Sequence, residues 1–547
     1  MSIICQSDRL SYPGSLEENL RQVNLETQLK LSSNSPRVVE IISGKMILGT
    51  PEVRVEQEIV VVSGKLQPTL LYLAEEVSNQ AEIDGIRVPR EYVAEWQEAE
   101  ISYEESFELS ELDPEAKLVV TINPLSCSYD LAGGERIGFY GRLEIKLLTG
   151  KAQTVNILTD ITALAPQKIN VIKETIKSVK MNEFYQIRKS IETSLMLPKL
   201  KPGIARVLEL LVNPVQLQGE ATQGKLGLKG LLEISLIYVG CDDEGQPTEV
   251  FVNDWNRQNG TAIPFETAWE GEELEAGTEL LPQIRLAGLY FESISAHELG
   301  CYLELDCQVQ AIVARGQEIV VTVTPESNQI LDTQKGLLNL QELVETVDGE
   351  IPLDLNLEMP LGAARLERQL AVSGELHEIK VETAANKLVV HGFLDLKLWY
   401  ITEATDGPKL AVAGWETRKN NSIPVVGEFK LIDLVTEAAV DWNLAIDALE
   451  LEVLEANSLH LKGLLKLKAF TKVTRSMVVL QDCAIVNPVD PNSRPSMLFY
   501  IAQPGDSLWQ VARIYQVTAA CLAKTNQLDA ADVIQVGQKL LIPKSCG

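Results

Sequence analysis

At ~150 residues per domain, a chain of 547 residues implies several domains. Its 48 Lys and Arg against 77 Asp and Glu leave a formal charge of −29. That excess repels phosphate backbones and anionic lipid, so nucleic acid is not expected as a partner and membrane surfaces are disfavoured. The composition, 45% hydrophobic and 23% charged, is that of a globular protein and not of a disordered polymer.

No stretch approaches the ~18 consecutive apolar residues of a membrane span, so direct membrane insertion is not expected. The start, Met1-Ser2-Ile3-Ile4-Cys5-Gln6-Ser7-Asp8, has neither the basic nor the apolar region of a secretory signal, so a cytosolic location is expected. Cys5, Cys127, Cys241, Cys301, Cys307, Cys483, Cys521 and Cys546 form no CxxC, which predicts reduced thiols and no zinc site. With four histidines (His297, His377, His391, His460), mechanisms resting on a histidine base have few candidates.

In chain order, the first strong pattern runs from Gly64 to Tyr72, and it returns ungapped as Gly230 to Tyr238 and Gly392 to Tyr400. The copies stand 166 and 162 residues apart, a spacing of whole duplicated domains and far longer than solenoid repeats. Pro36, Pro202 and Pro360 precede the three glycines at similar distances, and Ile263-Pro264 answers Ile423-Pro424 downstream. The first copy lacks a clean Ile-Pro and is the most diverged.

Each copy alternates with period two: Leu226, Leu228, Leu232, Ile234, Leu236 and Tyr238 fall on one phase and Lys229, Glu233 and Ser235 on the other. Leu388, Val390, Leu394, Leu396, Leu398 and Tyr400 repeat this inward set, with His391, Asp395 and Lys397 outward as solvated surface. The glycine on the inward phase predicts a bend or close backbone approach, and Pro68 predicts an edge strand or bulge in the first copy. Gly141 to Leu147, Cys301 to Asp306 and Leu464 to Phe470 alternate in the same way. Short strands between Gly, Asn and Pro turns give a mainly β chain of three tandem sandwich-like domains.

Lys168 to Leu197 carries Ile169, Ile172, Ile176, Val179, Phe184, Ile187 and Ile191 at roughly helical spacing, which predicts a linking helix before Pro198. Leu337 to Val344 holds the corresponding place before the third copy. The divisions are 1–165, 166–325 and 326–487, then a Pro/Asn/Ser linker at 488–496 and a separate module at 497–547.

That module reads as strand, Pro504-Gly505 turn, Asp506/Ser507 helix cap, an amphipathic helix with Leu508, Ala512 and Tyr515 on one face, a second helix, a turn and a strand. Trp509 is expected in its core, since small domains need large buried side chains. From Pro504-Gly505-Asp506-Ser507-Leu508-Trp509 to Gly537-Gln538-Lys539-Leu540-Leu541-Ile542-Pro543 the pattern resembles the LysM family, departing from it at Val536, where the family has proline. The resemblance implies a groove between Gly505, Asp506, Ser507 and Ile534, Gln535, Val536, with Trp509 and Asn526 among its residues. It also implies N-acetylglucosamine polymers as ligand.

A cytosolic chain would not meet such polymers. The three repeats ahead of the LysM resemble the SPOCS domains of a clostridial-type spore-coat assembly family. That resemblance implies a mother-cell cytosolic scaffold at the forespore surface, with the LysM docking on a stage IV sporulation protein A-like coat ATPase. Other coat proteins would dock on the repeats, where weak contacts gain from effective concentration.

Other motifs carry less. Gly219 to Leu226 fits GxxxxGK but has Leu where magnesium needs Ser or Thr, and a strand follows; Gly224 aligns with Asn386 as a shared turn. Cys301 and Cys307 share a strand phase about 20 Å apart at ~3.3 Å per residue, too far to hold one ion. Glu270 to Glu275 is a solvated acidic face. No nucleophile elbow, zinc-protease or dinucleotide motif survives inspection. No catalytic residue, metal or cofactor is therefore expected, and the alternative reading is a cell-wall protein that holds glycan.

Overall fold

The computed structural model describes residues 3–13, 17–31, 38–74, 92–96, 100–109, 117–131, 136–150, 152–163, 169–325, 330–384, 386–402, 409–432, 438–455, 457–486, 498–515, 517–528 and 534–543. The linker at 488–496, Met497 and Pro36 lie outside the described residues. Strand dominates, and among the described residues the strand pairs are antiparallel.

The first stretch contains β1 (Ile3–Pro13), β2 (Glu17–Lys30), β3 (Val38–Leu48), β4 (Glu52–Glu56), β5 (Ile59–Ala74), β6 (Tyr92–Trp96), β7 (Ile101–Glu108), β8 (Lys117–Leu131), β9 (Arg136–Gly150) and β10 (Ala152–Ala163). One sheet runs β2-β9-β8, and β1 pairs β10. The other sheet is centred on β5, with β3 and β4 along one edge and β7 then β6 along the other.

The second stretch contains β11 (Ile169–Met196), β12 (Gly203–Thr222), β13 (Lys225–Cys241), β14 (Pro247–Trp255), β15 (Ile263–Glu270), β16 (Glu279–Ser295) and β17 (Glu298–Pro325). It repeats the order, as β16-β17-β11 and as β12-β13 with β15 and β14 on the far edge of β13. The third contains β18 (Ile330–Glu358), β19 (Leu366–Ala384), β20 (Lys387–Thr402), β21 (Lys409–Trp415), β22 (Ile423–Lys430), β23 (Ala439–Glu455) and β24 (Ser458–Val486), paired in the same way. The last residues form β25 (Leu498–Ile501), α1 (Leu508–Ile514), α2 (Ala519–Thr525) and β26 (Lys539–Ile542).

The alternating phases fall as expected. Leu226 to Tyr238 on the inward phase are buried in one core with Leu299, Leu303, Leu305 and Val309 of β17, and Leu388 to Tyr400 form the matching core of the third stretch. Each such side chain contributes roughly 1.5–3 kcal/mol relative to exposure. The repeat glycine answers a cross-strand neighbour: a Cβ on Gly230 would lie 2.7 Å from the Phe265 ring, its partner on β15. Gly224 and Asn386 both turn through positive φ, 76° and 72°, as a shared turn requires.

Three expectations fail. Residues 168–197 are not a helix, because β11 is a strand of 28 residues, and Leu337 to Val344 lie in β18. The register shift at Val179/Met181 inserts Lys180 into β11, and the one at Ile172/Lys173 inserts Val321 into its partner β17; each changes which phase of β11 faces inward, so an irregular strand imitates helical spacing. Pro68 lies in the central strand β5, not in an edge strand or bulge. It occupies the step where the partner on one side changes from β7, ending at Leu66, to β6, starting at Thr69, and there its missing N–H breaks no ladder. Finally, Lys397, expected as solvated surface, is half-buried, as are Asp395, Glu233 and Ser235 on the same phase of their strands, whereas His391 is exposed as expected.

The reason is the way the three stretches meet. β6 lies against β12, β14 against β19 and β21 against β3, so each stretch contacts the next and the third returns to the first. A shared core at this pseudo-threefold junction contains Leu71 and Leu73, Ile237, and Trp399 and Ile401, with Val239 packed against it. Bulges at matching places in β3, β12 and β19 leave Ile42, Leu208 and Leu370 unpaired, and all three join that core. A second junction is a stalk in which β1/β10, β11/β17 and β18/β24 pack through Leu10, Ile157, Ile176, Ile319, Leu338, Leu340 and Val479.

Ion pairs tie the seams. Lys45 meets Glu209 at 2.5 Å, Arg257 bridges Glu233 (2.8 Å) and Asp447 (3.4 Å), and Arg475 meets Glu174 at 2.5 Å in the stalk.

Candidate functional site

The C-terminal module is built on an aliphatic core: Ala502, Leu508, Val511, Ala512, Leu522, Ile534, Leu540 and Ile542. Ser507 caps α1 with a reciprocal box, its Oγ accepting from the Gln510 N–H at 3.2 Å while Gln510 Oε1 accepts from the Ser507 N–H at 2.9 Å. Thr518 caps α2 through its Oγ1 alone, which accepts from the Cys521 N–H at 3.2 Å. Asp506 Oδ2 accepts from the Gln503 N–H (2.7 Å) and the Tyr500 hydroxyl (2.6 Å), which fixes the turn at Gly505, φ 85°. Burial first, and then this carboxylate, push the Tyr500 hydroxyl well above its ordinary range.

The second loop is held to the first. Ala502 N–H donates to Gln538 O (2.9 Å) and Gly537 N–H to Ala502 O (2.8 Å), with Gly537 at φ 83°. These bonds join Ala502, just before the first loop, to Gly537 and Gln538 of the second, and Val536 is 66% exposed. Ile534 points into the core instead.

Asn526 is structural: its side chain donates to Leu541 O (2.9 Å) and accepts from the Leu541 N–H (2.6 Å), so it replaces a strand partner for β26. Asn526→Ala is expected to destabilise the module by about 1–3 kcal/mol, the cost of a buried polar pair left unsatisfied. Hydrogen exchange at residues 539–542 in the variant checks this; unchanged protection would refute it.

Trp509 is not in the core. It is 60% exposed, with the Arg513 guanidinium 5.0 Å from its ring centroid. The helix turns Leu508 and Val511 inward, and aliphatic groups fill the small core, leaving Trp509 and Arg513 one turn apart outside. Phe499, also exposed, stacks under the Lys539 ammonium at 4.2 Å. Period-two alternation over Leu498, Phe499, Tyr500 and Ile501 carried that signal in the sequence.

Cys521 is disulfide-bonded, which corrects the expectation of reduced thiols at that position. Cys301 and Cys307 are free and buried, and burial pushes their thiols up to about 12 and about 11. Among the described residues no cluster of His, Cys, Asp and Glu could hold a metal ion, and no helix is long and apolar enough to cross a membrane.

His377 lies 3.6 Å from both Glu375 and Asp395, and a hydrogen bond to Glu375 is the largest of the effects that raise its pKa. A raised imidazole pKa stabilises the fold fully below the free value of about 6.5 and loses that contribution as pH rises through the folded value. The stability difference between the native chain and His377→Gln is therefore expected to be largest near pH ~5.5 and to vanish near pH ~9. Urea unfolding at both values checks it, and a difference that grows with pH would sink it.

The region therefore defines a β-rich body followed by a small βααβ module. Residues 500–543 match the LysM domain family, and this segment is a LysM domain. No curated protein and no solved structure matches the chain.

Proposed function

We propose that the chain is a non-enzymatic scaffold in which three tandem SPOCS-like domains (1–165, 166–325, 326–487) carry a C-terminal LysM that recruits them to a spore coat. The recurring strand order and the repeat spacing support the tandem reading. The observation that carries the function is the LysM match at 500–543 on a body built as one closed ring. A mother-cell location at the forespore surface and docking on a stage IV sporulation protein A-like ATPase rest on the family resemblance.

In this reading Gly505, Ser507, Gln535 and Val536 meet the partner, with Asp506 holding the loop. Trp509 stands available beside them. A second reading, a LysM that holds N-acetylglucosamine polymers of a cell wall, is favoured by the family match and by the bonded Cys521, since disulfides persist in oxidising compartments.

Calorimetry of the full chain against the ATPase and against N-acetylglucosamine oligomers separates the two. Protein binding weakened at least ~10-fold by Val536→Arg, with no sugar binding, supports the scaffold. Sugar binding alone overturns it and moves the chain to the cell wall.

A further inference from the structure

The ring of three stretches has one seam unlike the others. The peptide itself crosses from the first stretch to the second at 164–168 and from the second to the third at 326–329, whereas the first and third meet without a chain connection. That seam runs down the stalk, where β1 near the start of the chain packs close to β24.

Two cysteines meet there. Cys5 on β1, opposite Ile161 of β10, donates its S–H to the carbonyl of Cys483 at 3.3 Å. Cys483 lies on β24, opposite Thr333 of β18. Both belong to one apolar cluster with Leu158, Ile161, Val320 and Leu480, and both are free. Cys5 is half-buried and Cys483 buried.

We propose that Cys5 and Cys483 are a latent disulfide pair that closes the ring covalently under oxidation. The oxidant is a small-molecule disulfide. The more accessible Cys5 thiolate attacks it, forming a mixed disulfide and releasing one small thiol; the Cys483 thiolate then attacks the Cys5 sulfur and releases the second. Two electrons pass from the cysteines to the small disulfide, and their two protons leave on the released thiols. Burial raises both thiols first, followed by Asp482 at Cys5 and by Cys5, Asp482 and Asp332 at Cys483, which lowers their thiolate fractions and slows the attack on the oxidant.

The consequence is mechanical. A bond between residues 478 apart ties β1 to β24, the strand that precedes the LysM in the chain. The ring can no longer open at its unlinked seam.

The full chain, reduced and then treated with oxidised glutathione, tests this by peptide mapping and by urea unfolding. The expected result is one cross-linked peptide joining Cys5 to Cys483, together with an unfolding midpoint higher than that of the reduced chain. The midpoint gain should vanish in both Cys5→Ser and Cys483→Ser. Cys521 serves as the internal sign that the oxidant acted. If Cys521 is bonded while Cys5 and Cys483 are recovered as free thiols, or if either pairs with another cysteine, the proposal fails.

Discussion

Replacing Asp306 with alanine is expected to cost about 3–5 kcal/mol, the range for breaking a buried ion pair by removing one partner. Asp306 is 8% exposed on β17 and carries two guanidiniums: Arg285 Nη2 at 2.5 Å from Oδ2 and Arg188 Nε at 3.2 Å from Oδ1. Burial pulls the Arg285 guanidinium below its ordinary range, and Asp306 is the main group opposing that pull. Arg285 also donates to the Leu48 carbonyl of β3, so the cluster reaches across the seam between the first and second stretches.

Without Asp306, the Arg285 guanidinium would lose its ion-pair partner beside the like charge of Arg188, which keeps Glu304 at 3.4 Å. Asp306→Asn keeps an acceptor and should lose less. Asp306→Leu with Arg285→Met replaces charge by apolar volume and should recover much of the loss. The urea midpoint of the three variants measures the order; a single alanine variant within ~1 kcal/mol of the native chain would refute the role given to this cluster.

The sequence made the central strands of the repeats legible because their alternation is unbroken: Leu226 to Tyr238 and Leu388 to Tyr400 are buried as read. The long strands β11 and β18 were illegible for a physical reason. Bulges reset the phase, so Ile169, Ile172, Ile176 and Val179 fall at intervals that mimic a helix although the chain is extended. The polar phase was misread for another reason. Alternation identifies two faces but not what covers the second one, and Glu233, Ser235, Asp395 and Lys397 lie on the phase that neighbouring stretches cover.

In the C-terminal module Ser507 caps the helix start as its residue type predicts, whereas Asp506, read as a second cap candidate, instead holds the turn through the Gln503 N–H and the Tyr500 hydroxyl. The motif could not say that Asn526 serves β26 or that Trp509 stands outside. Those depend on how small aliphatic residues, Ala502, Ala512 and Ala523 among them, let the two short helices close over Leu508 and Val511.

Trp399→Ala is expected to cost about 3–5 kcal/mol and to do so across the whole ring. Trp399 is 1% exposed and lies in the junction core with Leu71 and Leu73 of the first stretch and Leu208, Ile237 and Val250 of the second. Its indole N–H has no hydrogen-bond partner among the described residues, so the loss is one of packing and apolar burial. Trp399→Phe retains most of the volume and discards the unpaired N–H, and it should recover more than half of the stability.

The location of the damage decides between a ring and three independent domains. If the junction core couples the stretches, hydrogen exchange in Trp399→Ala should accelerate at Leu71 to Leu73 of β5 and at Ile237 to Val239 of β13, both far away in sequence. Independent domains would confine the acceleration to β19, β20 and β21. That outcome would dismantle the closed ring and, with it, the idea that this chain presents its LysM from a single rigid body.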